Sequence, residues 1–274
     1  MSRKTIAYNH IKSQLLSGQW EAGTFLSPAK LAKSIGMSYT PVREAIFQLT
    51  SEGLVEHVPN MGVCAKRLDR AEMEDLFNLR QILESGAAKL AATMIDDVQL
   101  SNLRQICQGY RDAIADVREF GRKNPEILSR RHLVDNEAFA RLPKLNVAFH
   151  LGVINGSQNA RLIKIVTNIH ILSRLLRGRV IPPGENLFKR LVKDHHFHCR
   201  ILRALEHHDE QAASIWMDKH IADAKTYHLT VFDWQQRQGK IRNIQQDEWS
   251  EETVQDLLHM EDGLRIHVDK EAKQ

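Results

Sequence analysis

Long apolar runs are missing from this chain. No stretch of about 18 consecutive apolar residues occurs, so a spanning helix is not expected. The N-terminus, MSRKTIAYNH, lacks the apolar core of a secretory signal, and a cytoplasmic protein is expected. Cysteine is scarce as well: Cys64, Cys107 and Cys199 are odd in number and far apart, which argues against a disulfide framework and a cysteine zinc site and leaves them as packing residues. With only seven prolines and fourteen glycines in 274 residues, little interrupts helices. No His-Glu-x-x-His and no cysteine pair marks a water-activating metal site.

What is present begins with charge. Up to Leu68 eight basic residues face four acidic ones, so the first quarter holds the chain's whole net excess of +4. Basic charge gathered in a small domain suits a polyanion. In the same quarter, SYTPVREAIFQLTSEGLV spaces Val42, Ala45, Ile46 and Leu49 at i, i+3, i+4 and i+7, one apolar stripe, with Tyr39, Thr40, Arg43, Phe47 and Gln48 largely off it. Pro41 suits a first helical turn, Ser38 is a suitable cap, and Gly53 ends the helix. Before it, residues 4–17 form an amphipathic helix on Ile6, Ile11, Leu15 and Leu16, and SPAKLAKSIGMS a short one that turns at Gly36. Helix, turn and outward-facing helix is the helix-turn-helix plan. LVEHVP and GVCAKR then flank Asn60-Met61-Gly62 as a wing hairpin.

The order Gly18-x-Trp20-x-x-Gly23, LA-x-x-IGMS, TPVREA and EGLV, followed by a wing glycine, resembles the winged helix of the GntR family of bacterial transcription regulators over roughly residues 5–66. The resemblance implies DNA contacts by Ser38, Thr40, Arg43 and the wing tip near Gly62, with Arg43 the foremost base or phosphate contact. Tyr39 stands where the family usually has Arg; it can donate to a phosphate or pack near Ile35. Ser27-Pro28-Ala29-Lys30-Leu31 also departs from the family's usual Ser-Glu-x-x-Leu.

From Leu68 the pattern is helical throughout, with no alternating run after the wing. Helices are expected over residues 69–95, 97–120, 144–156, 159–179, 185–207 and 209–231; residues 121–143, bounded by Pro125 and Pro143, read as a loop or lid with one helical piece. The fold class expected is mainly α: an N-terminal winged helix-turn-helix of three helices and a small β-hairpin over residues 1–68, an all-helical bundle over 69–233, and a polar tail over 234–274 with a short helix at 251–261.

Most of the fourteen histidines follow residue 131. Asn146 and His150 share a helix face, and His198 and His220 sit on helices with apolar faces, so a bundle can converge them. Three imidazoles and an oxygen suit zinc, and also nickel, iron or manganese. Spacing alone does not separate these from His170, His195, His196, His207, His208 or His228. N-x-x-FH followed by NGSQNARL, H-x-x-IL-x-AL followed by Asp, and EQAASIWMDKHI resemble the ligand-binding domain of the FadR subfamily, named FCD. The resemblance implies Asn146, His150, His198 and His220 as ligands of a divalent metal, with Asn146 replacing the family's Asp and removing one negative charge.

That family often senses small organic acids, and Arg80 and Arg174 are the candidate effector residues, since a guanidinium forks a carboxylate. The competing reading of Arg80 is a salt bridge to Glu84; that of Arg174 is a solvated cluster with Arg177 and Arg179. The function expected is a homodimeric regulator that binds a near-palindromic double-stranded operator, nucleoid-associated when bound, and answers to a small carboxylate, probing no membrane. The alternatives are a metal-dependent hydrolytic enzyme, for which no Glu stands beside the three histidines in sequence and Asp194 and Asp218 are the candidate bases, and a regulator whose degenerate pocket only dimerises.

Overall fold

In the computed structural model, residues 2–16, 20, 23–59, 61–124, 137–175 and 186–237 are described. Backbone contacts divide the chain into two compact units, one built on Met1–Asp69 and the other on Arg70–His170 and Arg179–Ile241.

The first unit contains α1 (Arg3–Leu16), β1 (Phe25–Leu26), α2 (Pro28–Ile35), α3 (Tyr39–Ser51), β2 (Val55–Val58) and β3 (Gly62–Ala65). Val42, Ala45, Ile46 and Leu49 of α3 are all buried, as their spacing requires, against Ala7, Tyr8, Ile11 and Leu15 of α1 and Leu31 and Ala32 of α2 in one core. The buried face of α1 is thus rotated from the expected stripe, and Ile6 is exposed. Inside that face Lys12 donates to the Tyr8 hydroxyl at 3.1 Å, which donates to Glu52 Oε2 at 2.7 Å, joining α1 to the end of α3. Gly53, at φ +73°, takes the left-handed conformation that stops α3.

Ser38 occupies the cap position of α3, yet its side chain makes no capping bond. A cap side chain accepts from the second or third helical N–H, and the third residue here is Pro41, which has none. Ser27, by contrast, accepts from the Lys30 N–H at the start of α2.

The wing pairs Val55↔Ala65 through Val58↔Gly62, with Gly62 at φ +104°. A third strand, absent from the expected hairpin, adds to it: β1 pairs antiparallel with β3, Phe25↔Cys64 and Leu26↔Val63, in the order β1-β3-β2.

The second unit contains α4 (Arg70–Met94), α5 (Asp97–Lys123), α6 (Glu137–Gly156), α7 (Ala160–Leu175), α8 (Leu187–Glu206) and α9 (Glu210–Arg237). Asp96 starts α5 with a full capping box, accepting from Gln99 N–H at 2.7 Å while Gln99 returns a bond to the Asp96 N–H. Buried Ala87, Ala88, Ala91 and Ala92 give α4 a small-residue face, and α4 packs lengthwise on α9. Tyr110, Ala113, Ile114 and Val117 of α5 form a core cluster with Phe139 and Leu142 of α6 and Leu191 of α8.

Two boundaries differ from expectation. Pro143 lies inside α6, which starts at Glu137 rather than near 144. A mid-helix proline forfeits one hydrogen bond, but burial of Phe139 and Leu142 against α5 holds the turn before it. Likewise α9 continues to Arg237, past the expected start of the tail, because Leu229, Val231 and Gln235 are buried. The centre of the expected lid, 125–136, and the expected 251–261 helix lie outside the described residues. Cys64 and Cys107 are buried, but Cys199 is exposed, its Sγ 3.5 Å from His195 Nε2, so it is no core residue. Among the described residues no helix is long and apolar enough to cross a membrane.

Candidate nucleic-acid interface and metal centre

Because the core claims one side of α3, the other side is left to solvent. Ser38, Tyr39, Thr40, Arg43, Glu44 and Phe47 are exposed there, and Gly62 is exposed on the wing. Tyr39 is 50% exposed, which places its ring outside the core rather than packed within it. The Arg43 guanidinium lies 5.3 Å from the centre of the Phe47 ring and has no carboxylate partner among the described residues. A projecting cation at the leading half of an outward helix is the arrangement that reaches base edges and phosphates.

The second site is buried. His150 of α6, His198 of α8 and His220 of α9 bring a ring nitrogen each within 4.8 Å of one another. All three are buried, and so are Arg80 and Glu84 of α4 beside them. His150 Nδ1 lies 2.7 Å from Glu84 Oε2, and Arg80 Nε donates to Glu84 Oε1 at 2.6 Å. A carboxylate only accepts, so Nδ1 of His150 carries the proton and its Nε2 presents a lone pair. That Nε2 is 3.1 Å from Nε2 of His220. Phe149 stacks on His198 at 4.2 Å and Tyr110 meets it edge-on at 5.2 Å, so the walls are aromatic.

Burial, and then the neighbouring imidazoles, hold His198 and His220 well below the usual histidine range. Both rings are therefore neutral near pH 7, the form that binds metals. Both ring nitrogens of His198 and Nδ1 of His220 have no hydrogen-bond partner although they are buried. Orphaned buried nitrogens are rare. A divalent ion can take one of the His198 nitrogens together with Nε2 of His150 and of His220: two nitrogens at about 2.0–2.1 Å from one zinc stand a little over ~3 Å apart, close to the observed Nε2–Nε2 separation. Asn146, one turn before His150 on α6, is half-buried.

Of the residues singled out in sequence, the three histidines thus meet. Among the described residues no other histidine joins them: His228 stacks on Phe77, His208 bonds to the Ala92 carbonyl, and His207 to that of Arg203, while the side chain of His170 lies outside the described residues. Arg80 does bridge Glu84, yet its Nη1 is buried without a partner, so one arm of the fork stays open. Arg174 falls in α7, but its side chain lies outside the described residues. Glu84 is the site residue that sequence reasoning missed: no Glu neighbours the histidines in sequence, and this one meets His150 across the bundle. Its signal was nonetheless present: Met73, Phe77, Arg80, Glu84, Ala87 and Ala91 form one stripe at helical spacing, and all are buried. Two charges inside an apolar stripe are charges with an interior task.

Comparison with known proteins gives a family match for each part of the chain. Residues 4–64 match the family described as bacterial regulatory proteins, gntR family, and residues 75–223 match the FCD domain. The Nta operon transcriptional regulator of Aminobacter aminovorans is 30% identical over 200 residues, 73% of this chain and 83% of that one. A probable D-xylose utilization operon transcriptional repressor of Paenarthrobacter nicotinovorans is 24% identical over 227 residues, 81% of this chain and 88% of that one. Among solved structures, E. coli McbR/YncC superposes with a TM-score of 0.63 at 19% identity, covering 85% of this chain and 99% of its own. A putative GntR regulator from Rhodococcus sp. RHA1 gives 0.61 at 18% identity, covering 84% and 99%.

Proposed function

The chain belongs to the gntR family of bacterial regulatory proteins, with an FCD domain as its helical part, and from that premise we propose a homodimer that binds a near-palindromic operator and answers to a small carboxylic acid held beside a divalent metal. It is a transcription regulator with a helix-turn-helix domain, and its relatives and fold neighbours are regulators, not enzymes. Glu84 is consistent with that, since both its oxygens are engaged and neither waits to take a proton from water.

In this reading Ser38, Tyr39, Thr40 and Arg43 face the major groove and Gly62 lets the wing backbone approach a phosphate. Two-fold symmetry sets two such helices about one DNA turn apart. His150, His198 and His220 hold the metal, with the Asn146 carbonyl oxygen as the fourth donor; zinc suits the set, as do nickel, iron and manganese. When bound, the ion supplies positive charge against which an acid's carboxylate can settle. Arg80 offers its open Nη1 to the same carboxylate, and Arg174 is the second effector candidate. Glu84 keeps His150 in the tautomer whose Nε2 points inward. The effector changes operator affinity only as far as it favours one state of the dimer over the other.

The observation that supports this most is the buried His198 ring, without a hydrogen-bond partner on either nitrogen, converging with His220 and with a His150 oriented by Glu84. Protein purified without added metal is expected to retain a divalent ion, and His150→Ala and His198→Ala to retain less at equal folded fraction; equal metal content in all three ends the assignment. Asn146→Asp restores a negative donor and is expected to slow metal loss to a chelator. Faster loss would contradict the role given to Asn146.

A further inference from the structure

Phe47 is 60% exposed, more than any other large apolar side chain among the described residues of the first unit apart from Met61 at 64% on the wing. Its place on α3 is unusual. Val42, Ala45, Ile46 and Leu49 define the core side, and Phe47 lies opposite, on the same side as Thr40, Arg43 and Glu44. Water is a poor environment for a phenyl ring, and among the described residues the Arg43 guanidinium stands over it, 5.3 Å from its centre.

We propose that Phe47 reads sequence: its ring meets the 5-methyl group of a thymine in the major groove, next to the contact made by Arg43. This rests on the operator-binding reading above. The major groove presents one apolar group, the thymine methyl, and Phe is among the side chains that pack on it. Phe47 follows Arg43 by one helical turn, about 6 Å along the axis, or roughly two base-pair steps. The cation over the ring makes the two a unit, polar at one end and apolar at the other. An adjacent unpaired Arg43, in a unit that holds the chain's positive excess, fits a polyanion that exposes methyl groups better than an apolar protein surface.

The test begins by selecting duplexes from a random-sequence library with the full-length protein. Each thymine of the enriched duplex is then replaced singly by deoxyuridine, which removes the methyl and nothing else. Wild-type protein is expected to lose about fourfold in affinity, the worth of one buried methyl group, at one thymine or its symmetry mate. Phe47→Ala is expected to bind the thymine and deoxyuridine forms equally, whereas Arg43→Ala keeps the difference. If Phe47→Ala binds more weakly but retains the wild-type preference for the methyl, the ring only supports Arg43 and the inference fails. It fails equally if no thymine is sensitive in the wild type. If the library does not enrich at all, the operator-binding reading falls and takes the inference with it, so the two failures are told apart.

Discussion

The two units solve opposite problems with charged and polar side chains. In the first, the candidate contacts lie outside: Arg43 projects from α3 with no carboxylate partner among the described residues, and the residues around it come from one short stretch of chain. In the second, they lie inside, drawn from α4, α6, α8 and α9, and each is constrained by the next through Arg80, Glu84 and His150 to His220. An exposed site can change one residue at a time with little effect on folding. A buried one cannot, because each group is the counterpart of another that has left water.

The sharpest way to break that contrast is Glu84→Gln, which leaves Arg80 buried without its counter-charge. A loss of about 3–5 kcal/mol is expected in urea unfolding of the full chain; a loss under about 1 kcal/mol would place the pair on the same footing as surface ion pairs. Arg43→Ala is the converse. Operator binding is expected to weaken by about 1–3 kcal/mol with no change in the unfolding midpoint, and a shift in the midpoint would show that Arg43 also supports the fold.

pH separates the units further. His198 and His220 stay neutral in the folded protein because burial and neighbouring imidazoles depress their pKa, whereas the unfolded chain binds protons there below about pH 6.5. Stability is thus full above that pH and falls as pH drops, by at most about 1.4 kcal/mol per pH unit for each group. Hydrogen exchange of metal-free protein between pH 7 and 5 is expected to show the loss in α6, α8 and α9 and not in α1–α3; equal loss in both would remove the contrast. Smallest of all, Asp96→Ala is expected to cost about 1 kcal/mol through its capping box, and Ser38→Ala under about 0.5 kcal/mol, since Ser38 caps nothing. Thermal unfolding of the two variants side by side checks the pair.

Legibility followed the same division. α3 could be read because four apolar residues mark its period within a short window, and the wing because Gly62 separates two β-prone runs. β1 could not, since two residues cannot display an alternation. Pro143 misled because its local rule was overridden by Phe139 and Leu142, whose burial depends on α5. The histidine trio emerged only through resemblance, as nothing local distinguishes His198 from His195 or His196. Glu84 escaped because a pair at i, i+4 looks the same in sequence whether it lies on the surface or inside. Only the packing of α4 on its neighbours decides that.

The third strand also bears on how the protein comes into being. β1 joins β3 across a span of roughly 40 residues, with α2 and α3 enclosed between the partners. α1, α2 and α3 can coil as soon as they are made, but the sheet closes only after Cys64 has left the ribosome. A nascent chain released before that point carries a formed reading helix and an unlatched wing. Competence to recognise DNA is thereby timed to the completion of the first unit, early in synthesis and ahead of every histidine in the buried site.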